Sequence, residues 1–469
     1  MSARVKVPTE TEMNYTEELS RFVVDCRMEH LPQGVVETAG RCVLDWIGVT
    51  LGAADDPAVA ILLDLERSMG GKRQASILGH GTRVTLLQAA LVNGMMSHVL
   101  DYDDAHSGTR THPSAPLVPA LFAVGEHLGR TGRDLVEAFV AGFEVTLRIG
   151  YALGKTYYEK GWHATPVLGR FGAAAGAAKL LGLNAQEVSV ALGLAATQAG
   201  GLRDVFGTMG KPFHAGTAAA GGLFAALLAG KGFSAPTNLL DPEAGFARVF
   251  TSEYNPEAIV KGLGTEYRTM EVNFKPYAAC LLVHPVIDGL ITLRREHGLD
   301  PDSIEEIHVR VAPLNIKVTG DPEPKNGFQA RFSLPMAAAL AVIYGRATES
   351  LFTDATVNDN RIKAVMGKVK PFPDDSLAET ETVVKVVMKD GRDYSSHVVS
   401  PKGDPDNPMT FEEIAEKTRD LAEKVLSGRA IDRVIRLAGD LERLDNVATL
   451  VRACCPGPRS GGTGRVMTK

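Results

Sequence analysis

Residues 101–116 read DYDDAHSGTRTHPSAP and gather titratable side chains at a density that surface loops seldom have. A helical pattern ends close to Asp101, and another begins near Ser114. Free N–H groups and a partial positive charge at that second helix start can meet an anion beside His112. From this stretch alone two interpretations stay open: carboxylates that cap helix ends beside polar loop histidines, or one wall of an active site. The titratable residues are Asp101, Asp103, Asp104, His106, Arg110 and His112.

Three other segments bring basic groups to helix starts or to the end of an apolar run. KGWHATPVLGRFGAAAG places His163 just before a helix start, and FGTMGKPFHAGTAAAGG places Lys211 and His214 on the approach to a helix of small apolar residues. VNFKPYAACLLVHPVIDGL places Lys275 after an apolar run, with Cys280 following. Each has an ordinary structural alternative: a hydrogen-bonded core histidine, a lysine at the surface end of a buried helix, or a cysteine packed as a small apolar side chain.

Together, the lysines, imidazoles and carboxylate suit a small polyanionic substrate. Lysine neutralises carboxylates, and imidazole moves protons near neutral pH. The sequence has no GxGxxG in a βαβ setting, no P-loop, no GxSxG and no HExxH. A zinc site is conceivable, but no two of the histidines have ligand spacing on one helix, and the lysines oppose a cation. The residues therefore favour a polyanion over a metal.

The composition of the 469 residues is that of an ordinary folded protein, with 45% hydrophobic and 23% charged side chains. The net charge of −6 gives no basic footprint, which argues against a nucleic-acid partner. The five cysteines form no CxxC pair, which favours a reducing, cytoplasmic compartment. The N-terminal residues lack an apolar signal core. The Ala- and Gly-rich run at 212–230 is predicted as a buried helix rather than a membrane span.

Helical patterns run from Tyr15 to about residue 270, and strand-like patterns then appear. Residues 303–313 alternate like a half-buried strand, and 381–401 read as two strands with Asp390 and Gly391 at the turn. We predict a mainly α protein with a large all-helical domain formed by both ends of the chain, residues 1–270 and 404–453, an inserted smaller α+β domain at 271–403, and a disordered tail at 454–469. Individual helices are predicted at 16–28 with Thr16 as N-cap, 33–53, 83–101, 114–129 with Ser114 as N-cap, 132–154 and 332–345.

Five segments resemble the MmgE/PrpD family: DYDDAHSGTRTHPSAPLVPALFAVGE, GWHATPVLGRFGAAAGAAKLLGL, GTMGKPFHAGTAAAGG, FKPYAACLLVH and QARFSLPMAAALA. That family includes 2-methylcitrate dehydratase, cis-aconitate decarboxylase and iminodisuccinate epimerase. The resemblance covers nearly the whole chain. It implies a large helical domain with an α+β lid, a homodimer, and cofactor-free chemistry on di- or tricarboxylic acids. The family's active-site residues fall on Asp101, His112, His163, Lys211 and Lys275.

Two positions depart from the family pattern. Many members have Asp-Asp-Thr where this chain has Asp103, Asp104 and Ala105, so a hydroxyl expected near the substrate is missing. Cis-aconitate decarboxylases compared with this chain have a histidine in place of Cys280. This second departure weakens a decarboxylase interpretation more than a dehydratase interpretation.

The favoured hypothesis is a lyase that acts on a small di- or tricarboxylic acid, most closely a hydro-lyase like 2-methylcitrate dehydratase. His112 and His163 would move protons, and Asp101 would orient an imidazole. Alternatives are decarboxylation of an allylic acid and epimerisation beside a carboxylate, which share an enolate-type intermediate. A non-catalytic polycarboxylate-binding protein is an alternative of a different class. The predicted substrate-binding residues are Lys211, Lys275, Arg110, His214 and Cys280.

Overall fold

Helices make up most of the protein, as the sequence predicts. The structure, a computed structural model, describes residues 13–242 and 245–456. The helices before the larger sheet are α1 (Tyr15–Asp25), α2 (Gln33–Gly52), α3 (Pro57–Met69), α4 (Leu86–Val99), α5 (Ser114–Leu128), α6 (Gly132–Leu153), α7 (Thr156–Glu159), α8 (Ala164–Leu181), α9 (Ala185–Gln198), α10 (Gly210–Ala229), α11 (Gly245–Phe250) and α12 (Glu257–Val260).

A two-stranded ribbon, β1 (Ala75–Ser76) and β2 (Arg83–Val84), lies early in the chain and precedes α4. The later half of the chain mixes strands with shorter helices and then returns to helix. The strands of the larger sheet are β3 (Ile304–Val311), β4 (Val369–Pro373), β5 (Thr382–Met388) and β6 (Asp393–Val398). The later helices are α13 (His284–His297), α14 (Pro313–Thr319), α15 (Gly327–Ala330), α16 (Leu334–Tyr344), α17 (Asp354–Val357), α18 (Asn360–Met366), α19 (Phe411–Ala422), α20 (Gly428–Gly439) and α21 (Ala448–Ala453).

Glycines bring the central helices close together. A Cβ on Gly94 of α4 would lie 2.9 Å from the Cα of Gly216 in α10, so the two helix backbones touch only because both residues lack side chains. A Cβ on Gly222 of α10 would lie 2.5 Å from the carbonyl oxygen of Arg170 in α8. Helices α4, α8 and α10 therefore form a tight layer. The C-terminal end of α4 meets the N-terminal ends of α8 and α10, where predicted site residues lie.

The larger sheet has four strands in the order β4-β3-β5-β6. Strand β3 pairs parallel with β4 and antiparallel with β5, with Val309 opposite Val384. Strands β5 and β6 form the predicted hairpin, and Gly391 in its turn has φ +88°. A Cβ on Gly289 of α13 would lie 2.8 Å from the buried Val384, so α13 packs on this face of the sheet. The strands predicted within 303–313 and 381–401 are confirmed.

The last helices pack against the first part of the chain. A Cβ on Gly48 of α2 would come within 2.7 Å of Thr418 Oγ1 in α19. Helix α19 directs Ile414, Lys417 and Leu421 into this contact, and all three side chains are buried. Both ends of the chain thus contribute to one helical packing. The lid and the exact domain bounds stay predictions.

Two predicted N-caps were wrong. Helix α1 begins at Tyr15, under the side chain of Asn14 rather than Thr16. Ser114 opens α5 but does not cap it, because its hydroxyl donates to the Asp104 carboxylate instead. This bond ties the start of α5 back to the acidic loop that precedes it.

The predicted tail does not begin at Cys454. The Cys454 side chain is fully buried, and the backbone carbonyl oxygen of Cys454 accepts a hydrogen bond from Gly79 N–H at 2.9 Å. Residues 457–469 lie outside the described residues, as do residues 1–12. The ribbon β1–β2 was not predicted, since its two strands have only two residues each. No bounds were predicted for helix α3.

Helix α10 is long and apolar enough to cross a membrane by length and composition, as is the pair α2–α3 if its 88° bend is ignored. The sequence predicts α10 as a buried helix. In the structure α10 packs against α4, α8 and α9, and its inner residues Ala215, Ala219 and Leu223 are fully buried. Its first turn carries the buried Lys211.

Candidate active site

The chain turns sharply after α4 and presents Asp101 to the interior. Asp101 has φ +50°, a left-handed conformation that residues other than glycine rarely adopt. Arg331 Nη1 donates to the carbonyl oxygen of Val99 at 3.0 Å. Lys417 Nζ donates to the carbonyl oxygen of Tyr102 at 2.6 Å. Side chains from the later part of the chain thus hold the backbone on both sides of Asp101, as expected where local strain serves a site.

Asp101 accepts hydrogen bonds from two buried lysines. Lys211 Nζ lies 2.9 Å and Lys275 Nζ lies 3.0 Å from the same oxygen, Oδ1. Lys275 also donates to the backbone carbonyl of Asp101 at 2.8 Å. Burial alone would raise the pKa of Asp101, but the two ammonium groups outweigh it and hold this pKa well below its ordinary value. Because two ammonium groups share one carboxylate, a positive charge is left for an anion in the cavity.

Asp103 lies against two imidazoles. His98 Nδ1 bonds Asp103 Oδ2 at 2.9 Å. His112 Nδ1 lies 3.1 Å from the same oxygen but is poorly aligned for a hydrogen bond. Burial lowers the pKa of His112 to about 4 against the opposing charge of Asp103, so this imidazole is neutral at neutral pH. The sequence assigns Asp101 as the group that orients an imidazole, but Asp101 Oδ1 is 4.0 Å from His112 Nε2, and Asp103 is the nearer carboxylate.

His163 precedes α8 and contacts His214 of α10. Their Nδ1 atoms are 3.1 Å apart. The His163 ring lies edge-on to Phe206, with ring centroids 4.9 Å apart, and stacks on His98 at 6.1 Å. Burial lowers the pKa of His163 well below its ordinary value, and the neighbouring His98 and Lys211 lower it further.

These groups line one cavity of about 150 Å³. Its polar lining includes Asp101 with the two lysines and His112 with His163. Its apolar lining residues are Phe206, Leu281, Leu282, Leu314, Val318 and Phe332. Lys211 Nζ lies 5.0 Å from the centre of the Phe332 ring, so polar and apolar lining residues are in contact at this lysine.

Arg110 lies at the cavity in a second strained position, with φ +55°. Its Nη2 donates to Glu379 at 2.9 Å, and its guanidinium lies 5.0 Å from the Tyr158 ring centre. Glu379 belongs to the segment between β4 and β5. The ion pair therefore joins the acidic loop of the helical part to the sheet.

Seven of the predicted site residues line this cavity, and one does not. Cys280 lies there, and burial raises the pKa of its thiol, so it is a protonated thiol at neutral pH. His214 lies behind His163 and outside the lining. The seven are Asp101, Arg110, His112, His163, Lys211, Lys275 and Cys280.

Comparison with known proteins identifies the family. The model of the MmgE/PrpD N-terminal domain matches residues 17–259, and that of the MmgE/PrpD C-terminal domain matches residues 277–442. This chain belongs to the MmgE/PrpD family. Human cis-aconitate decarboxylase is 29% identical over 452 residues, which cover 93% of each chain. The Aspergillus terreus cis-aconitate decarboxylase is 27% identical over 471 residues, 94% of this chain and 96% of the relative. Like these relatives, this MmgE/PrpD protein is an enzyme of the lyase class.

One group of side chains in the described residues of this MmgE/PrpD site has the spacing of metal ligands. The nearest ligand atoms of His98, Asp101, Asp103 and His112 lie within 4.8 Å of one another. The donor set fits a cation poorly, because Asp101 Oδ1 already accepts from two ammonium groups. We therefore interpret this group as an ion-pair and hydrogen-bond network that orients the imidazoles.

Sequence reasoning missed Lys417, which lies in the interior beneath the site. Its Nζ bonds Asp45 at 2.7 Å and the backbone carbonyl oxygen of Lys275 at 2.9 Å, besides that of Tyr102. A signal was present: Ile414, Lys417, Thr418 and Leu421 follow the helical spacing of a buried face, so the lysine stands among apolar positions. Asp103 was noted in the acidic cluster without a role, and Glu379 carried no signal.

Proposed function

We propose that this protein removes a carboxylate, without a cofactor, from a small unsaturated polycarboxylic acid of the cis-aconitate type. Several relatives that match over nearly their full length are cis-aconitate decarboxylases, which supports a carboxy-lyase over the hydro-lyase that the sequence favours. The observation that carries the proposal is the pair of buried lysines on one oxygen of Asp101, in a cavity that also has apolar lining residues.

The lysines bind a substrate carboxylate and stabilise developing charge. An ammonium group has three donors, so Lys211 can keep its bond to Asp101 and still donate to the substrate. Lys275 is fully buried, and its pKa is raised because Asp101 and Asp103 outweigh the cost of burial. It therefore stays charged, and a fixed charge in a dry cavity stabilises an enolate-type intermediate without reorganisation.

The apolar lining residues favour loss of carbon dioxide. A carboxylate placed against Leu281, Leu314 and Val318 gives up its hydration, whereas the carbon dioxide that leaves is neutral. The ground state of the bound substrate, with its charged carboxylate, is destabilised relative to a transition state in which the charge spreads into the rest of the substrate.

One proton must then reach the substrate. The bond to the leaving carboxylate breaks, and its electron pair forms a new double bond. The pair of the old double bond takes a proton at the carbon beside a second carboxylate. We assign His163 as the proton donor, because its Nδ1 is occupied by His214 and its Nε2 is left for the cavity. His112, held against Asp103, lies in the same cavity and contacts the substrate.

A hydro-lyase is the second candidate. It is favoured by Cys280, which lines the cavity. The family resemblance implies a histidine at this position in cis-aconitate decarboxylases, so this chain would have one imidazole fewer. The same lysines would hold the carboxylates of a hydroxy acid, and one histidine would protonate the leaving hydroxyl.

The test is a substrate panel that separates these reactions. Purified enzyme in chelator receives cis-aconitate, 2-methylcitrate or an iminodicarboxylate, and products are followed by proton NMR with carbon dioxide release. We expect carbon dioxide and an itaconate-type product from cis-aconitate. His163→Ala should lower this rate by about 10²–10⁴-fold. His308→Ala, a half-buried histidine on β3 paired with Glu306, is the matched control and should leave the rate unchanged.

Other outcomes in the panel would overturn the proposal in distinct ways. Water loss from 2-methylcitrate with no reaction of cis-aconitate would establish the hydro-lyase. Proton exchange beside a carboxylate without net product would indicate an epimerase. Thermal stabilisation by the acids with no turnover would indicate a binding protein.

A further inference from the structure

We propose that His214 is a positioning residue that sets the tautomer of His163 and passes a proton to it in each turnover. The inference rests on the proposed decarboxylation, which consumes one proton per substrate. His163 is only 2% exposed, so while substrate fills the cavity a neighbouring group is the direct source of its proton. His214 is half-buried, lies outside the cavity lining and contacts His163 directly.

The contact between the two rings requires a proton on one side only. The Nδ1 atoms are 3.1 Å apart, a hydrogen-bond distance, so one Nδ1 donates and the other accepts. When His214 Nδ1–H donates, His163 Nδ1 carries the lone pair and a neutral His163 must carry its proton on Nε2. The bond to His214 thus makes the remaining nitrogen of His163 an acid.

The surroundings favour two neutral rings. Burial lowers the pKa of both histidines. Positive groups face the pair from the neighbouring elements: Lys211 on α10 towards His163, and Arg170 on α8 towards His214. His98 on α4 faces both rings. No carboxylate is among the main influences on either ring, which is the opposite of His112, held against Asp103.

The backbone at Gly201 fixes the arrangement of the rings. Its carbonyl oxygen accepts a hydrogen bond from His163 N–H at 2.9 Å. Gly201 has φ +126°, and a Cβ there would lie 3.1 Å from Cε1 of His214, so a side chain would press on that ring. One residue therefore holds the backbone of His163 and leaves room for the His214 ring.

The proton transfers balance. Nε2–H of His163 protonates the substrate carbon, while the carboxylate leaves as carbon dioxide. Nδ1–H of His214 moves to Nδ1 of His163, and His214 Nε2 takes a proton from water. Both rings end neutral. After the product leaves, water in the cavity protonates Nε2 of His163, the Nδ1 proton of His163 passes back to His214, and Nε2 of His214 releases its proton to solvent. The net reaction adds one solvent proton to the substrate for each carbon dioxide released.

This role predicts a particular kinetic signature for His214→Ala. We expect kcat to fall at least 10-fold with KM within about 2-fold, because the residue does not line the cavity. Added imidazole should restore part of kcat. His214→Gln keeps a side-chain hydrogen-bond donor but cannot relay a proton. Its kcat should therefore be lower than the kcat of His214→Ala in the presence of imidazole. His308→Ala should match wild type with and without imidazole.

Three results would overturn the proposal. A raised KM with unchanged kcat would make His214 a substrate-binding residue, and a wild-type kcat would remove it from the reaction. A loss of kcat that imidazole does not restore would make its role structural.

A second measurement needs neither a variant nor turnover. Nitrogen-15 shifts of histidine-labelled wild-type enzyme should show one protonated and one unprotonated Nδ1 in this pair. Finding both Nδ1 atoms in the same state would contradict the proposal. Because this readout is independent of substrate, failure of the decarboxylation and failure of the histidine pair are distinguishable.

Discussion

At the scale of single residues, the site depends on how charges are shared. Asp101 compensates one of two ammonium charges and keeps both lysines in the interior at 2.9 and 3.0 Å. The sequence indicated which residue types meet, since lysines beside small apolar helices are hard to explain as solvated faces. It could not indicate which carboxylate meets which cation. Asp101 and Asp103 are two residues apart, and the left-handed turn at Asp101 sends them to different partners.

Asp101→Asn should inactivate the enzyme through the lysines. With the carboxylate gone, two buried ammonium groups face a neutral amide, and their mutual repulsion is uncompensated. We expect kcat/KM to fall by at least 10²-fold and the free energy of unfolding to drop by about 3–5 kcal/mol. Steady-state kinetics and urea unfolding measure these effects. Asp390→Asn, in the exposed hairpin turn, is the control, and equal behaviour of the two variants would contradict the account.

The buried carboxyl group of Asp104 makes the stability of the protein depend on pH. Burial raises its pKa to about 7, whereas the unfolded value is about 3.9. Between these values the folded protein binds a proton that the unfolded chain does not, so this group's contribution to stability falls as pH rises, by up to about 1.4 kcal/mol per pH unit. Asp104→Asn removes that loss and can keep a hydrogen bond to Ser114.

Urea unfolding at pH 5 and pH 7.5 checks the Asp104 prediction. The variant should gain stability relative to wild type at the higher pH. A difference between variant and wild type that does not change with pH would show that the Asp104 carboxyl has an ordinary pKa in the folded protein.

At the scale of elements, the sequence predicted the long helices and the β5–β6 hairpin because their periodicity and turn residues are local signals. It could not predict how α19 contributes to the site. Lys417 lies 142 residues from Lys275 in sequence, yet it bonds that residue's carbonyl oxygen. Such a contact follows from the packing of α19 on α2, for which a lysine within an apolar stripe is only a hint.

Lys417→Met tests whether α19 positions the site. The change leaves Asp45 buried without its cation and removes the donor to the carbonyls of Tyr102 and Lys275. We expect a loss of about 3–5 kcal/mol in stability and a reduced kcat. Adding Asp45→Asn should recover stability but not kcat, because the two carbonyls still lack their donor.

The control for this element is Lys424→Met, since Lys424 is largely exposed and pairs with Glu349 at the surface. It should change stability by less than about 0.5 kcal/mol. Full recovery of kcat in the Lys417→Met/Asp45→Asn double variant would show that Lys417 serves stability alone.

At the scale of the whole molecule, the family resemblance predicts a homodimer, and α10 offers an exposed apolar surface for it. Phe213 is 41% and Phe224 is 44% exposed, and these residues lie on one helix face because eleven residues make about three turns. Met209 and Leu202 nearby are also half-exposed. The opposite face of α10 belongs to the core. Both faces of the helix are therefore apolar, and for this reason its sequence alone resembles that of a fully buried helix.

Phe213→Glu together with Phe224→Glu should convert the predicted dimer to a monomer. Light scattering coupled to size-exclusion chromatography measures the mass. Phe372→Glu, an equally exposed phenylalanine on β4, should leave the mass unchanged. A monomeric wild type, or a dimer that survives the double change, would contradict this assignment of the interface.

We propose that this cavity exchanges a carboxylate for a proton. The most direct measurement is proton NMR of the enzyme with cis-aconitate in heavy water and chelator. We expect carbon dioxide release and an itaconate-type product with one deuterium, at the carbon beside a carboxylate. Hydration of the double bond, or no change in cis-aconitate while 2-methylcitrate loses water, would contradict it.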